Sequence, residues 1–119
     1  MFFPETLPAR QAGLASPGRL DTRLKESGAS TSPESVAAQG AALGEWARGE
    51  NTSWDRLGEL TLPVLVGGGA HDLLMHPHGT YSIALRLPNA KVVFYTDSGH
   101  GFLFQHPDDF GQEVLNFTH

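Results

Sequence analysis

The sequence has no cysteine among its 119 residues, which removes a disulfide framework, a zinc ribbon and a thiol nucleophile from consideration. Positive charge is scarce: eight Lys and Arg stand against thirteen Asp and Glu, a formal net charge of −5. A nucleic-acid footprint needs the opposite sign, and the basic residues form no polybasic patch of the kind that holds a chain to an anionic membrane. Long apolar runs are missing too, with none near the ~20 residues of a membrane span. The opening Met1-Phe2-Phe3-Pro4-Glu5 has no basic stretch and meets a proline and an acid at once, unlike a signal peptide. These absences leave a small, acidic, soluble protein. The cytoplasm is the expected compartment, and neither nucleic acid nor membrane is an expected partner.

What is present is globular in kind: 39% of residues are hydrophobic, 18% charged and 9% aromatic. A compact chain of this mass buries roughly two-thirds of the surface it exposes unfolded, so a core is expected. The material for it is unevenly spread. Residues 1–53 hold eleven of the 21 charges but three of the eleven aromatics, Phe2, Phe3 and Trp46. The chain therefore divides near Trp54. In the first part, weak helical patterning covers residues 5–14 and 19–26, and Gly28-Ala29-Ser30-Thr31-Ser32-Pro33 reads as a mobile connector. A helix then starts with Thr31 or Ser32 as cap, Pro33 in the first turn and Glu34 against the N-terminal dipole. Val36, Gly40, Leu43 and Trp46-Ala47 give it one apolar stripe, expected to pack on a neighbour, and Gly49 ends it.

Beyond Trp54 the period changes. Leu62-Pro63-Val64-Leu65-Val66 is a short apolar run rich in β-branched residues, stopped by Gly67-Gly68-Gly69, and reads as a parallel strand buried on both faces. A helix covering Tyr81 to Leu87 closes at Pro88-Asn89, and Lys91–Tyr95 is a second strand. Asp97-Ser98-Gly99-His100-Gly101 is a loop, and Pro107 opens a last helix carrying Phe110, Val114, Leu115 and Phe117. Strand, helix, strand, helix in about sixty residues implies a parallel pair with a right-handed crossover.

Asp72 follows the first strand and His100 the second, so both fall on the carboxyl edge where open α/β sheets gather ligand and catalytic groups. An imidazole used as a base needs a carboxylate on Nδ1 to fix its tautomer and stabilise its cation, leaving Nε2 to take a proton. Gly99 and Gly101 flank His100 and allow the backbone to present the ring. Taken singly, Asp72 serves equally well as a cap of a helix over 76–87 or as a hydrogen-bond partner of the Gly67–Gly69 loop, and His100 as a loop histidine bonded to backbone; their joint placement favours a pair. Other groupings point to less. His71, Asp72, His76 and His78 crowd eight residues, but Pro77 interrupts them and no ligand spacing supports a metal, so none is expected. Gly67–Gly69 lacks the Lys-Ser/Thr of a phosphate loop and reads as a tight turn presenting Asp72; no cofactor is expected. Phe102, Phe104 and Phe110 fit a core better than an acyl pocket.

Gly69-Ala70-His71-Asp72 after Pro63–Val66, then Leu87-Pro88-Asn89-Ala90, then Ser98-Gly99-His100-Gly101-Phe102 and the Pro107…Phe110…Phe117 helix resemble the carboxyl-terminal portion of an α/β-hydrolase. The resemblance covers residues 54–119 and implies a partial parallel sheet with flanking helices. It makes Asp72 the triad acid and His100 the general base, in the chain order nucleophile, acid, histidine. Residues 1–53 resemble, more weakly, the tail of that family's helical cap. One departure is local: the proline usually four residues after the acid is displaced to Pro77, with His76 in its place. The larger departure is that no G-x-S-x-G occurs, and no aspartate sits in an equivalent elbow. On the family pattern the nucleophile, oxyanion loop and first strands would lie upstream of Met1.

The resemblance implies an esterase-like hydrolase acting on an ester-type bond of a small molecule. Serine as nucleophile would mean esterase, lactonase or acyl-transfer chemistry, and aspartate an epoxide or haloalkane hydrolase. Without nucleophile and oxyanion hole the chain alone should be a poor catalyst or none. The alternative is a truncated, inactive relative that serves as a binding or oligomerisation module. An apolar strand paired on one side recruits another chain, and a homo-oligomer or a complementing amino-terminal chain would satisfy it.

Overall fold

The computed structural model describes residues 2–28, 30–49 and 52–119. Two helices come first, α1 (Leu7–Ser27) and α2 (Pro33–Ala47), then a 3-10 helix over Trp54–Glu59. The β1 (Val64–Gly69), α3 (Pro77–Arg86), β2 (Ala90–Tyr95) unit follows, closed by α4 (Phe102–Gln105) and α5 (Pro107–Thr118). β1 and β2 form a two-stranded parallel sheet in register Val64↔Ala90 through Gly69↔Tyr95, with α3 as the crossover packed on both strands.

α1 is one helix where two weak segments were expected, and it runs straight through Pro17. A proline inside a helix removes one ladder bond and costs ~3 kcal/mol, which is why the sequence pattern breaks there. Packing overrides it. Ala9, Gly13 and Ser16, at i, i+4 and i+7, turn toward the rest of the molecule: Ala9 and Ser16 are buried and Gly13 lies under the Phe3 ring. The face is built from small residues, so α1 shows no apolar stripe, and its Leu7 and Leu14 are exposed. α1 packs on α4, with the Arg19 guanidinium donating to the Phe104 carbonyl at 3.1 Å.

α2 begins as its start signals require: Ser32 Oγ accepts from the Ser35 amide, and Glu34 sits in the first turn. Its Val36, Leu43 and Trp46 stripe is exposed, so the expected packing face finds no cover among the described residues. The 3-10 helix rests on α3, where the Arg86 guanidinium lies 4.2 Å over the Trp54 ring.

The three glycines do not stop β1; they are its second half. Gly67, Gly68 and Gly69 pair with Val93, Phe94 and Tyr95. A Cβ at Gly67 would stand 3.0 Å from Phe110, and one at Gly69 would overlap the Ser98 and Gly99 carbonyls. Glycine inside a strand here marks the close approach of neighbours rather than a turn. Behind the sheet, Phe102 meets Phe110 edge to face at 5.0 Å and stacks near Tyr95 at 5.8 Å, so these two half-buried phenylalanines pack against one another and the sheet. Helix α5 is tied to β2 by an ion pair between Lys91 and Glu113 and by Tyr95 Oη donating to Asp109. Burial and the Asp109 carboxylate push the Tyr95 phenol above its ordinary range.

The expected core is only partly realised. An unfolded chain exposes ~1.45 Å² per dalton, so the folded surface of 8615 Å² hides about half of it, not two-thirds. The radius of gyration, 16.5 Å, compares with ~13.5 Å for a compact domain of this length. Both strands remain half-covered rather than buried on both faces, and Ala9 and Leu87 are the buried apolar residues among those described. No helix among the described residues is long and apolar enough to cross a membrane.

Candidate active site

At the carboxyl edge of the sheet the two strands release two loops that are stitched together by backbone bonds. Ala70 N donates to Tyr95 O, and His71 N donates to Ser98 O, each at 2.9 Å. Asp72 N then turns back to Gly69 O at 3.2 Å. The turn that presents the acid is therefore Ala70-His71, after the glycines. The loop after β2 approaches so closely that Gly69 has no room for a side chain, and this contact brings residues 72 and 100 to the same rim.

Asp72 is buried, 5% exposed, with both oxygens engaged. Oδ1 accepts from the amides of Leu74 and Met75 at 2.8 and 2.9 Å. Oδ2 lies 2.9 Å from His100 Nδ1. Burial raises the Asp72 carboxyl, but the hydrogen bonds from Met75, His100 and Leu74 and the attraction of His100 outweigh it and hold the group below its ordinary value. It stays ionised at neutral pH. With a carboxylate acceptor on Nδ1, that nitrogen carries the proton and Nε2 keeps the lone pair. Among the described residues Nε2 of His100 has no hydrogen-bond partner, and the side chain is 34% exposed.

The structure thus brings together the two residues that sequence order singled out; Asp72 does not cap the following helix, whose N-cap is His76, and its other oxygen closes its own loop instead. Of the other loop histidines, His76 is used locally. His76 Nδ1 accepts from the His78 amide at 3.2 Å and caps α3, which is why that helix starts at Pro77, a turn earlier than its apolar residues suggest. No three His, Asp or Glu side chains converge as a ligand set among the described residues.

Sequence reasoning missed a second carboxylate–imidazole pair under the histidine loop. Asp97 Oδ1 meets His106 Nε2 at 2.9 Å and accepts from the fully buried Ser98 Oγ at 3.1 Å. The His106 ring stacks on Tyr95 at 4.7 Å. Burial raises the Asp97 carboxyl, while the bonds from His106 and Ser98 lower it, and the net shift is downward. The signal was available, since Asp97 and His106 bracket His100 on a short loop and helix. Ser98 is locked in this cluster, not aimed at His100. Phe2 was also unread: its ring stands edge to face on His100 with centroids 5.0 Å apart, and no pattern in the sequence announces that contact.

No protein-family profile matches the chain. Over 55 residues it is 42% identical to a provisionally named carbamate hydrolase, RutD, of Caulobacter sp. strain K31, a match spanning 46% of this chain and 20% of the relative. Over 62 residues it is 32% identical to a 2-hydroxy-6-oxononadienedioate/2-hydroxy-6-oxononatrienedioate hydrolase of Klebsiella pneumoniae, spanning 52% of this chain and 22% of that one. In three dimensions it resembles an α/β-hydrolase fold protein from Chitinophaga pinensis with a TM-score of 0.81 at 29% identity, covering 98% of this chain and 42% of the neighbour. The chain spans about a fifth of the length of the curated relatives and under half of the structural neighbour. Both relatives are hydrolases by name, and the neighbour gives the architecture. This chain has the α/β-hydrolase fold and is related to the carboxyl-terminal portion of that superfamily.

Proposed function

We propose that this chain supplies the acid–base half of a hydrolytic site, with His100 as general base and Asp72 as the carboxylate that orients it. The observation that carries the reading is the 2.9 Å contact between His100 Nδ1 and an Asp72 carboxylate whose other oxygen is fixed by two backbone amides. In the step this supports, Nε2 of His100 removes the proton from an attacking hydroxyl or water. Asp72 stabilises the imidazolium that forms, and Nε2 returns the proton to the leaving group. Where a nucleophile first forms a covalent intermediate, the same nitrogen then activates the water that hydrolyses it. The substrate class we propose is an ester-type bond, a carbonyl carbon bearing a heteroatom leaving group. A carbamate, named for one relative, is of that type.

The test is hydrolysis of a small activated ester by the purified full chain, compared with His100→Ala. The expected result is a slow rate, for want of a nucleophile elbow, that His100→Ala abolishes. Equal rates would sink the general-base role and leave the second reading, an assembly module. That reading is favoured by one observation: among the described residues β1 is paired on one side only, and Val64 through Gly67 are half-covered. A concentration-dependent dimer, or capture of a strand-bearing partner, in a chain whose His100→Ala variant hydrolyses equally well would establish it.

A further inference from the structure

The segment Phe2–Pro4 plays no part in the chemistry proposed above, yet it lies against both loops of the acid–base pair. The Phe2 ring meets the His100 imidazole at an interplanar angle of 86°, with centroids 5.0 Å apart. Its carbonyl accepts from the Gly101 amide at 2.7 Å, so the backbone grips the residue next to the histidine. Phe3 fills the space beside two glycines: a Cβ at Gly101 or Gly13 would stand 3.0 or 2.9 Å from its ring. Pro4 then lines a cavity of about 320 Å³ with Ala70, His71, Asp72 and His76. Phe2 is itself 52% exposed, so burial of its own surface accounts for only part of its placement.

An imidazole held by one hydrogen bond keeps a loose motion, the tilt of its plane about that bond, because the terminal torsion of histidine has a broad minimum. An aromatic ring set edge to face on it removes that freedom. We propose that Phe2 is a positioning residue for His100: it fixes the tilt that the Asp72 bond leaves open, and so aims Nε2. The backbone bond to Gly101 and the wedge of Phe3 between Gly101 and α1 make Phe2–Pro4 a strap that holds the ring in place. The inference rests on the reading of His100 as general base, since only then does the aim of Nε2 have a chemical consequence.

The experiment uses the full chain labelled with nitrogen-15 at histidine, as wild type, Phe2→Leu, Phe2→Trp and Asp72→Asn. Long-range nitrogen–proton spectra give the tautomer of His100 and the shifts of its ring protons. Carbethoxylation followed by peptide mass spectrometry gives the reactivity of its free nitrogen. In Phe2→Leu, circular dichroism should match wild type and the Nδ1–H tautomer should persist. The ring-proton shifts should move by several tenths of a ppm as the aromatic ring is lost, and His100 should be modified severalfold faster. Phe2→Trp should restore the slow modification. Ring shifts and modification rate unchanged in Phe2→Leu, with the tautomer intact, would overturn the strap and leave the acid–base pair standing. A wild-type His100 that lacks the Nδ1–H tautomer and is indifferent to Asp72→Asn would overturn both.

Discussion

Asp72 is the residue whose replacement separates the two jobs the structure gives it. In Asp72→Asn the amide oxygen must face the Leu74 and Met75 amides, because two donors there need an acceptor. That places the NH₂ group against His100 Nδ1, 2.9 Å from the original oxygen, where it can only donate. The imidazole must then accept on Nδ1 and carry its proton on Nε2, the wrong tautomer for a base. Loss of a correctly held tautomer costs about 10⁴ in kcat in the well-studied serine-protease triad. The fold loses less, since three charge-assisted bonds become weaker neutral ones but no donor is stranded, about 1 kcal/mol.

Asp72→Ala is a different perturbation. It removes the acceptor for three donors and strands two backbone amides in a site where the wild-type side chain is 7% exposed. Each stranded donor costs ~1–3 kcal/mol and the losses overlap, so about 3 kcal/mol is expected. With a urea slope of about 2 kcal/mol/M, the unfolding midpoint should drop by about 0.5 M in Asp72→Asn and about 1.5 M in Asp72→Ala. Urea titration followed by far-ultraviolet dichroism reads the midpoints, and histidine nitrogen spectra read the tautomer. Equal midpoints for the two variants would refute the loop-capping role, and a persistent Nδ1–H tautomer in Asp72→Asn would refute the orientation argument.

Two further outcomes follow from the same contacts. Because the Asp72 carboxyl is held below its ordinary value in the folded chain, its contribution to stability is full above the unfolded carboxylate pKa of ~3.9 and is lost as pH falls through the folded one. Urea midpoints measured from neutral to acid pH should fall more steeply below pH ~4 in wild type than in Asp72→Asn; parallel curves would refute the linkage. Asp97, 58% exposed, should contribute a smaller share of the same sign because solvent screens it. Gly69→Ala should destabilise by about 3 kcal/mol and displace the His100 signals, since its Cβ would stand 2.5 Å from the Ser98 carbonyl. Gly79→Ala, in α3 with open space around it, should be neutral or stabilising by up to ~1 kcal/mol, so a similar urea midpoint for the two alanine variants would contradict the packing argument.

Much of the site was legible because it obeys local rules. Two apolar, β-branched runs separated by a helical stretch imply a parallel pair whose strand ends share a rim, which places Asp72 and His100 on one edge. What escaped reading lay where packing or an unusual acceptor overrides local preference. α1 crosses Pro17 because small residues form its buried face, and β1 runs through three glycines because neighbours crowd them. α3 starts a turn early because an imidazole caps it. The Phe2 contact joins residues 98 positions apart with no periodic or spacing signal, so only the folded backbone reveals it.

The thin core and the well-made pair are compatible, and the reason is where the pair gets its precision. Asp72 is placed by amides of its own loop and by a turn closed on Gly69. His100 is placed by a loop bonded across to the Ala70-His71 turn and tied beneath by Asp97 and His106. These are directional bonds between two adjacent strand ends and do not draw on a large apolar interior. The apolar surface is instead left open at the strands themselves, with Val92 at 37% exposure in β2 and one edge of β1 unpaired among the described residues. The site geometry thus rests on contacts that do not depend on how well the sheet is covered. Covering the sheet should raise stability while leaving the 2.9 Å contact unchanged, whereas a single added methyl at Gly69 should disturb that contact before it unfolds the sheet.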